Sequence, residues 1–109
     1  MLIYNVTVHV EYAIENQWLE YMLNTHIPDV MATRCFLGAR MSKLISDQDQ
    51  GGSSYSIQYS MENEEQWNTY QNQFAPKLQS EHLQKFGTQC LAFRTQMEVI
   101  AEFPGIKST

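Results

Sequence analysis

Basic residues are scarce and scattered in this chain. Seven Lys and Arg stand against twelve Asp and Glu among 109 residues, the formal net charge is −5, and no two basic residues are adjacent. A phosphate backbone needs a clustered positive footprint, so no nucleic-acid partner is expected. Long apolar runs are missing as well. Nothing approaches the roughly 20 residues that cross a bilayer, and the opening LIYNVTVHV has neither the positive flank nor the small-residue cleavage site of a signal peptide. The expectation is a soluble, cytoplasmic protein with no membrane partner. Cysteine is limited to Cys35 and Cys90, and neither these nor His9, His26 and His82 are spaced as metal ligands. There is no glycine-rich phosphate loop and no G-x-S-x-G elbow. No metal is therefore expected, and a disulfide is disfavoured in a reducing compartment.

What is present is the composition of one globular domain, 43% hydrophobic and 17% charged. Thirteen aromatics against so little charge suggest that part of the surface is apolar and covered by a second copy. Leu2 to Val10 alternates, with Tyr4, Val6, Val8 and Val10 on one face and Ile3, Asn5, Thr7 and His9 on the other, the period of a strand. From Ala13 the period lengthens, and Ile14, Trp18, Tyr21 and Met22 form one apolar helical stripe. Pro28 is expected to end this helix by pushing Ile27 out of helical dihedrals, and to begin a short new turn.

Cys35 to Ser46 reads as strand 2, DQDQGG as a hairpin connection, and Ser54 to Met61 as strand 3. Asn63 and Gln66 form a capping box at the start of helix 2, which Pro76 should break or kink and Gly87 should end. Leu91 to Ile100 alternates as strand 4, with Phe93, Thr95, Met97 and Val99 against Arg94, Gln96 and Glu98. The order β-α-β-β-α-β predicts a ferredoxin-like α+β fold over residues 1–101, with 102–109 an irregular tail. Its four-stranded antiparallel sheet has the order 4-1-3-2, both helices lie on one face, and Cys35 and Cys90 lie on opposite edge strands. The other face would carry Asn5, Thr7, His9, Ser56, Gln58, Arg94 and Gln96, and two such faces would meet in a homodimer.

The segments WLEYMLNTHIPDVMAT, ARMSKL, YSIQY and YQNQFAPKLQSEHLQKFGTQCLAFRTQMEVI together resemble a family of short, uncharacterised bacterial proteins in the dimeric α+β barrel superfamily. The resemblance covers nearly the whole chain and implies a ferredoxin-like protomer and a barrel-forming dimer. At superfamily level it is similar to heme-degrading and antibiotic-biosynthesis monooxygenases, lactone isomerases and ligand-binding regulators. Asn5, Trp67 and His82 loosely echo the asparagine, tryptophan and histidine of the heme-degrading members, so the resemblance admits heme as a cofactor although none is otherwise expected.

Several side chains carry two readings. His26 and Asp29, flanking Pro28, are either an acid/base pair or helix caps. His82, with Leu78 and Phe86 four residues to either side, is either a core histidine or a pocket base. Arg40 and Arg94 are strand arginines that either pair with a carboxylate, such as Glu98 for Arg94, or hold an anionic substrate group. Tyr55, Tyr59 and Tyr70 either line a pocket or pack the core, and the same choice applies to Trp18. The expectation is a dimer binding a small, partly apolar molecule, with His26 and His82 as catalytic candidates and Arg40, Tyr59, Tyr70, Trp18 and Arg94 as substrate-binding ones. A cofactor-independent monooxygenase or isomerase would use them so, and a noncatalytic ligand-sensing or interaction dimer would use the same residues structurally.

Overall fold

The computed structural model describes residues 1–45 and 50–106. The end of the expected strand 2 and the first half of its hairpin connection, 46–49, lie outside the described residues, as do 107–109 of the tail. Four strands form one antiparallel sheet: β1 (Leu2–Glu11), β2 (Gly38–Lys43), β3 (Gly52–Met61) and β4 (Cys90–Glu98), in the order β2-β3-β1-β4. This is the ferredoxin-like arrangement expected from the element order. All helices contribute to a core on one sheet face, where Trp18, Met22, Val30, Tyr70, Leu78 and Phe86 pack on Tyr4, Val8, Val10, Tyr55, Ile57 and Tyr59. Among the described residues no helix is long and apolar enough to cross a membrane.

The first helical region does not end at Pro28. A 3₁₀ turn (Tyr12–Ile14) leads into α1 (Glu15–Tyr21), a π-helical turn (Met22–His26) and then α2 (Ile27–Ala32). Ile27 keeps helical dihedrals, φ −63 and ψ −44, and its N–H bonds to the Met22 carbonyl. The extra residue in that wider turn gives the Pro28 ring room beside the preceding carbonyls, so the chain bulges where a regular helix would break. Arg34, at φ 65, then turns the chain sharply. Cys35 and Phe36 drop into the core, and β2 begins only at Gly38, after Leu37 N–H has bonded to the Ser60 carbonyl. Cys35 is therefore in a turn and not on an edge strand.

The second helical region breaks as expected. α3 (Glu64–Gln73) is capped by Asn63, whose side chain accepts from Gln66 N–H at 3.2 Å, while Gln66 accepts in turn from Glu62 N–H at 3.4 Å. Phe74, at φ −121, separates it from α4 (Ala75–Phe86), with Pro76 in the first turn, where a missing N–H removes no intrahelical bond. A 3₁₀ turn (Gly87–Gln89), entered at φ +57 on Gly87, leads into β4. Gly52 is required for a different reason: a Cβ there would lie 2.1 Å from the Val10 carbonyl oxygen.

Strand 4 presents its side chains opposite to expectation. Val6 pairs with Arg94, Tyr4 with Gln96 and Val8 with Ala92, so Arg94 and Gln96 are on the helix side of the sheet. Leu91, Phe93, Thr95 and Met97 share the open face with His9, Thr7, Asn5 and Ile3. Directly opposed residues in an antiparallel pair point to the same face, and β1 fixes which face that is. The apolar half of β4 is thus left outside, with Leu91 at 59% and Phe93 at 62% exposure. Burial of the apolar side, the default assumption for an amphipathic strand, fails here.

Candidate functional site

Between the helices and β1, β3 and β4 lies a cavity of about 40 Å³, lined among others by His26, His82, Tyr59, Tyr70, Gln79 and Arg94. Each wall delivers part of it. The π turn supplies His26, α4 supplies Gln79 and His82 three residues apart on one side, and the parity of β4 supplies Arg94. Bulged turns of this kind recur at functional sites because they re-aim one side chain without unwinding the helix.

The two histidine rings stand 5.7 Å apart, centre to centre, with Tyr21 packed 5.9 Å from His26 and 6.2 Å from His82. Trp18, fully buried, donates its indole N–H to His82 Nε2 at 2.9 Å. An indole can only donate, so Nε2 carries the lone pair, and the neutral ring holds its proton on Nδ1. Burial pushes the His82 pKa down to about 4, with help from the neighbouring His26 and Arg94. Burial also lowers the His26 pKa, more than Asp29 raises it, and Arg94 adds to the lowering. Both imidazoles are therefore neutral at pH 7, but the His82 lone pair is already engaged by Trp18, so His26 is the one free to accept a proton.

The two histidines differ in how they are held. His26 Nδ1 is buried with no hydrogen-bond partner, so His26 is not the helix cap that its position before Pro28 suggests. Asp29 makes no side-chain cap either and lies in the first turn of α2. A buried imidazole nitrogen without a partner calls for a water or a ligand group, and a cavity of this size admits a water.

Burial raises the hydroxyl pKa values of Tyr4, Tyr59 and Tyr70, so these groups stay protonated and can donate hydrogen bonds. The Arg94 guanidinium partly offsets the shift at Tyr4 and at Tyr70. No carboxylate among the described residues pairs with Arg94, Glu98 included; the ion pairs found are Lys43 with Glu15 and Lys77 with Glu81. Arg94 is thus a positive charge with no counter-ion among the described residues, lining the same cavity as two neutral histidines.

Of the residues singled out from sequence, the cavity brings together His26, His82, Tyr59, Tyr70 and Arg94, and Trp18 joins them through His82. Arg40 does not join them. It pairs in register with Gln58 on the open face, across the sheet from the histidines. Tyr55 is also apart, donating its hydroxyl to Glu15, and its pKa is pushed up to about 12 by burial and by that carboxylate. Sequence reasoning missed Tyr4 and Gln79 as lining residues. Gln79, a polar residue one turn before His82, was the available signal, whereas Tyr4 on an alternating strand is indistinguishable from ordinary core.

Asn5, Trp67 and His82 do not assemble into one site. Asn5 is on the open face, donating to Thr7 Oγ1 at 3.1 Å and accepting from Ser56 at 2.6 Å, while His82 is on the helix side with Nε2 engaged by Trp18. These residues do not fit a heme bound as the heme-degrading pattern would require. Among the described residues no three His, Cys, Asp or Glu side chains are grouped as a metal site needs. Cys90 is no thiolate at neutral pH, since burial and Glu11 push its thiol up to about 11.

The model of a domain of unknown function, DUF4286, matches residues 1–100. The chain belongs to the DUF4286 family. No curated protein sequence matches it. Among solved structures, the chain is similar to a dimeric ferredoxin-like protein from an uncultured marine organism, with a TM-score of 0.72 at 13% identity, covering 96% of this chain and 100% of that one. It is similar also to a Deinococcus radiodurans protein provisionally assigned as an antibiotic biosynthesis monooxygenase, with a TM-score of 0.67 at 15% identity and coverages of 99% and 100%. A third is MhuD, solved in substituted form with two manganese protoporphyrin IX molecules per active site, with a TM-score of 0.61 at 15% identity and coverages of 94% and 99%. At these identities the likeness establishes the fold that DUF4286 adopts here and nothing about its chemistry.

Proposed function

We propose that this DUF4286 protein is a cytoplasmic homodimer that binds a small, partly apolar molecule in the cleft between helices and sheet. It would act there as a cofactor-independent monooxygenase or isomerase, with His26 or His82 moving a proton and Arg94 holding an anionic group. The observation that carries this reading is the convergence of two neutral histidines and an arginine without a described carboxylate partner on one cavity. His26 is the better base, because its Nδ1 has no partner, whereas His82 would orient the site while held by Trp18. The dimer is supported by the apolar strip Leu91, Phe93 and Met97 on the open face, and by the dimeric ferredoxin-like protein of the same fold.

A second reading, a noncatalytic ligand-sensing or interaction dimer, is favoured by the Trp18 bond, which gives His82 a purely structural partner. Native mass spectrometry of the protein as purified tests the binding claim. The expected result is a dimer carrying extra noncovalent mass, lost when His26 and His82 are both replaced by Gln in a variant that still dimerises. A bare monomer would refute the dimer, and full retention of the mass in the double variant would place the ligand elsewhere.

A further inference from the structure

We infer that the ligand class of this site is a planar carboxylate of single negative charge, seated with its ring outside the cavity and its carboxylate at Arg94. The inference rests on the small-molecule reading above and specifies what that molecule is. Immediately outside the inner cavity is an open groove of about 260 Å³. The two spaces share three walls, Tyr4, Gln79 and Arg94, so these residues form a neck between them.

The size of each space assigns the parts of the ligand. The inner chamber, about 40 Å³, is far below the several hundred Å³ that enclose a whole organic ligand, and takes only a water or a small projecting group. The body of a ligand must therefore lie in the groove. There Trp67, Gln71, Ala75 and Gln79 recur every four residues through α3 and α4, carried across the break at Phe74. Ala75 supplies a small side chain in the middle of this stripe, and Trp67 packs against Tyr4 with ring centres 4.7 Å apart. The groove is thus walled by aromatic rings and floored by a methyl group, with amides at its rim, a surface suited to a flat ring.

Charge settles the rest. Among the described residues Arg94 is the only formally charged side chain lining either space, and neither lining includes a described Asp or Glu. A guanidinium at the neck, within reach of both chambers and without a carboxylate of its own, offers two parallel N–H donors to a planar carboxylate. A second negative charge would find no further cation among the described lining residues, and the protein already carries a net charge of −5. Single charge and planarity follow together.

The test uses benzoate and benzamide, which share shape and differ in charge, titrated into the full chain while the indole N–H resonance of Trp67 is followed by NMR. The expected result is that benzoate shifts this resonance with an affinity at least about tenfold tighter than benzamide. Arg94→Gln should reduce benzoate to the benzamide level, and Arg40→Gln on the opposite sheet face should change neither. Equal affinity of the two probes, or benzoate binding unaltered in Arg94→Gln, would overturn the anion selection while leaving small-molecule binding intact. No response to either probe would overturn the ligand class. The reading it rests on is judged separately, by the noncovalent mass carried by the purified dimer.

Discussion

On the open face of the sheet the short polar side chains satisfy one another: Asn5 bonds with Thr7 and Ser56, and His9 Nδ1 lies 3.0 Å from Ser54 Oγ. On the helix face, among the described residues, His26 Nδ1 has no partner and Arg94 meets no carboxylate. The open face therefore has polar side chains of β1 and β3 bonded to one another, with Ile3 and the exposed strip Leu91, Phe93 and Met97 as its apolar part, whereas the covered face is apolar but chemically incomplete. A self-satisfied polar surface with an apolar strip suits contact with another copy. A buried imidazole nitrogen without a partner, near an exposed guanidinium that no described carboxylate neutralises, suits a ligand.

The sharpest way to break this contrast is to empty the covered face. Trp18→Ala removes a fully buried indole together with the N–H that His82 accepts, and should destabilise the fold by about 3–5 kcal/mol in urea unfolding. An effect under about 1 kcal/mol would mean that Trp18 is not the keystone of the histidine pair. Next in size, Phe93→Glu puts a charge in the apolar strip of the open face. The dimer should weaken at least about 100-fold, or about 2.7 kcal/mol, in sedimentation equilibrium, with the far-UV spectrum unchanged. An unweakened dimer would remove the open face from the interface.

The third effect is one of pH. His82 titrates near 6.5 when unfolded and near 4 when folded, so its contribution is complete above about pH 6.5 and is lost as pH falls toward 4, where the unfolded chain binds a proton that the native ring refuses. Partial contact with solvent reduces the expected loss to about 1–2 kcal/mol. His26, shifted the same way, adds to the slope. Stability curves at pH 7 and pH 4.5 should therefore diverge less for His82→Gln than for the unsubstituted protein, and identical divergence would exclude this linkage. The smallest effect belongs to the self-satisfied face, where Ser56→Ala should cost about 1 kcal/mol in the same unfolding assay. A loss comparable to that of Trp18→Ala would erase the distinction between the two faces.

The element order, the Asn63 cap and the break before Pro76 were legible in the sequence, because local periods and backbone rules act within a few residues. The helix through Pro28 was not. Whether a proline breaks a helix or is absorbed by a π turn depends on the packing that holds both sides in line, here Met22 and Val30 in one core. The candidate site was half legible. His82 belonged on an apolar helical stripe, and Tyr59 and Tyr70 fell where a cleft could use them. The two strand arginines, though, looked alike in sequence, and the structure sends Arg94 to the histidines and Arg40 to the opposite face.

By itself, then, the sequence determined the ferredoxin-like succession of strands and helices, the helix-side face of β1 and β3, and the lack of basic and metal-binding patterns. Only the tertiary structure decided which half of β4 faces the helices. Alternating side chains make both choices locally equivalent, and the pairing of Val6 with Arg94 breaks that equivalence, because a one-residue change of register sends every side chain of a strand to the other face. That pairing leaves Phe93 in the open and carries Arg94 to the neck of the cavity.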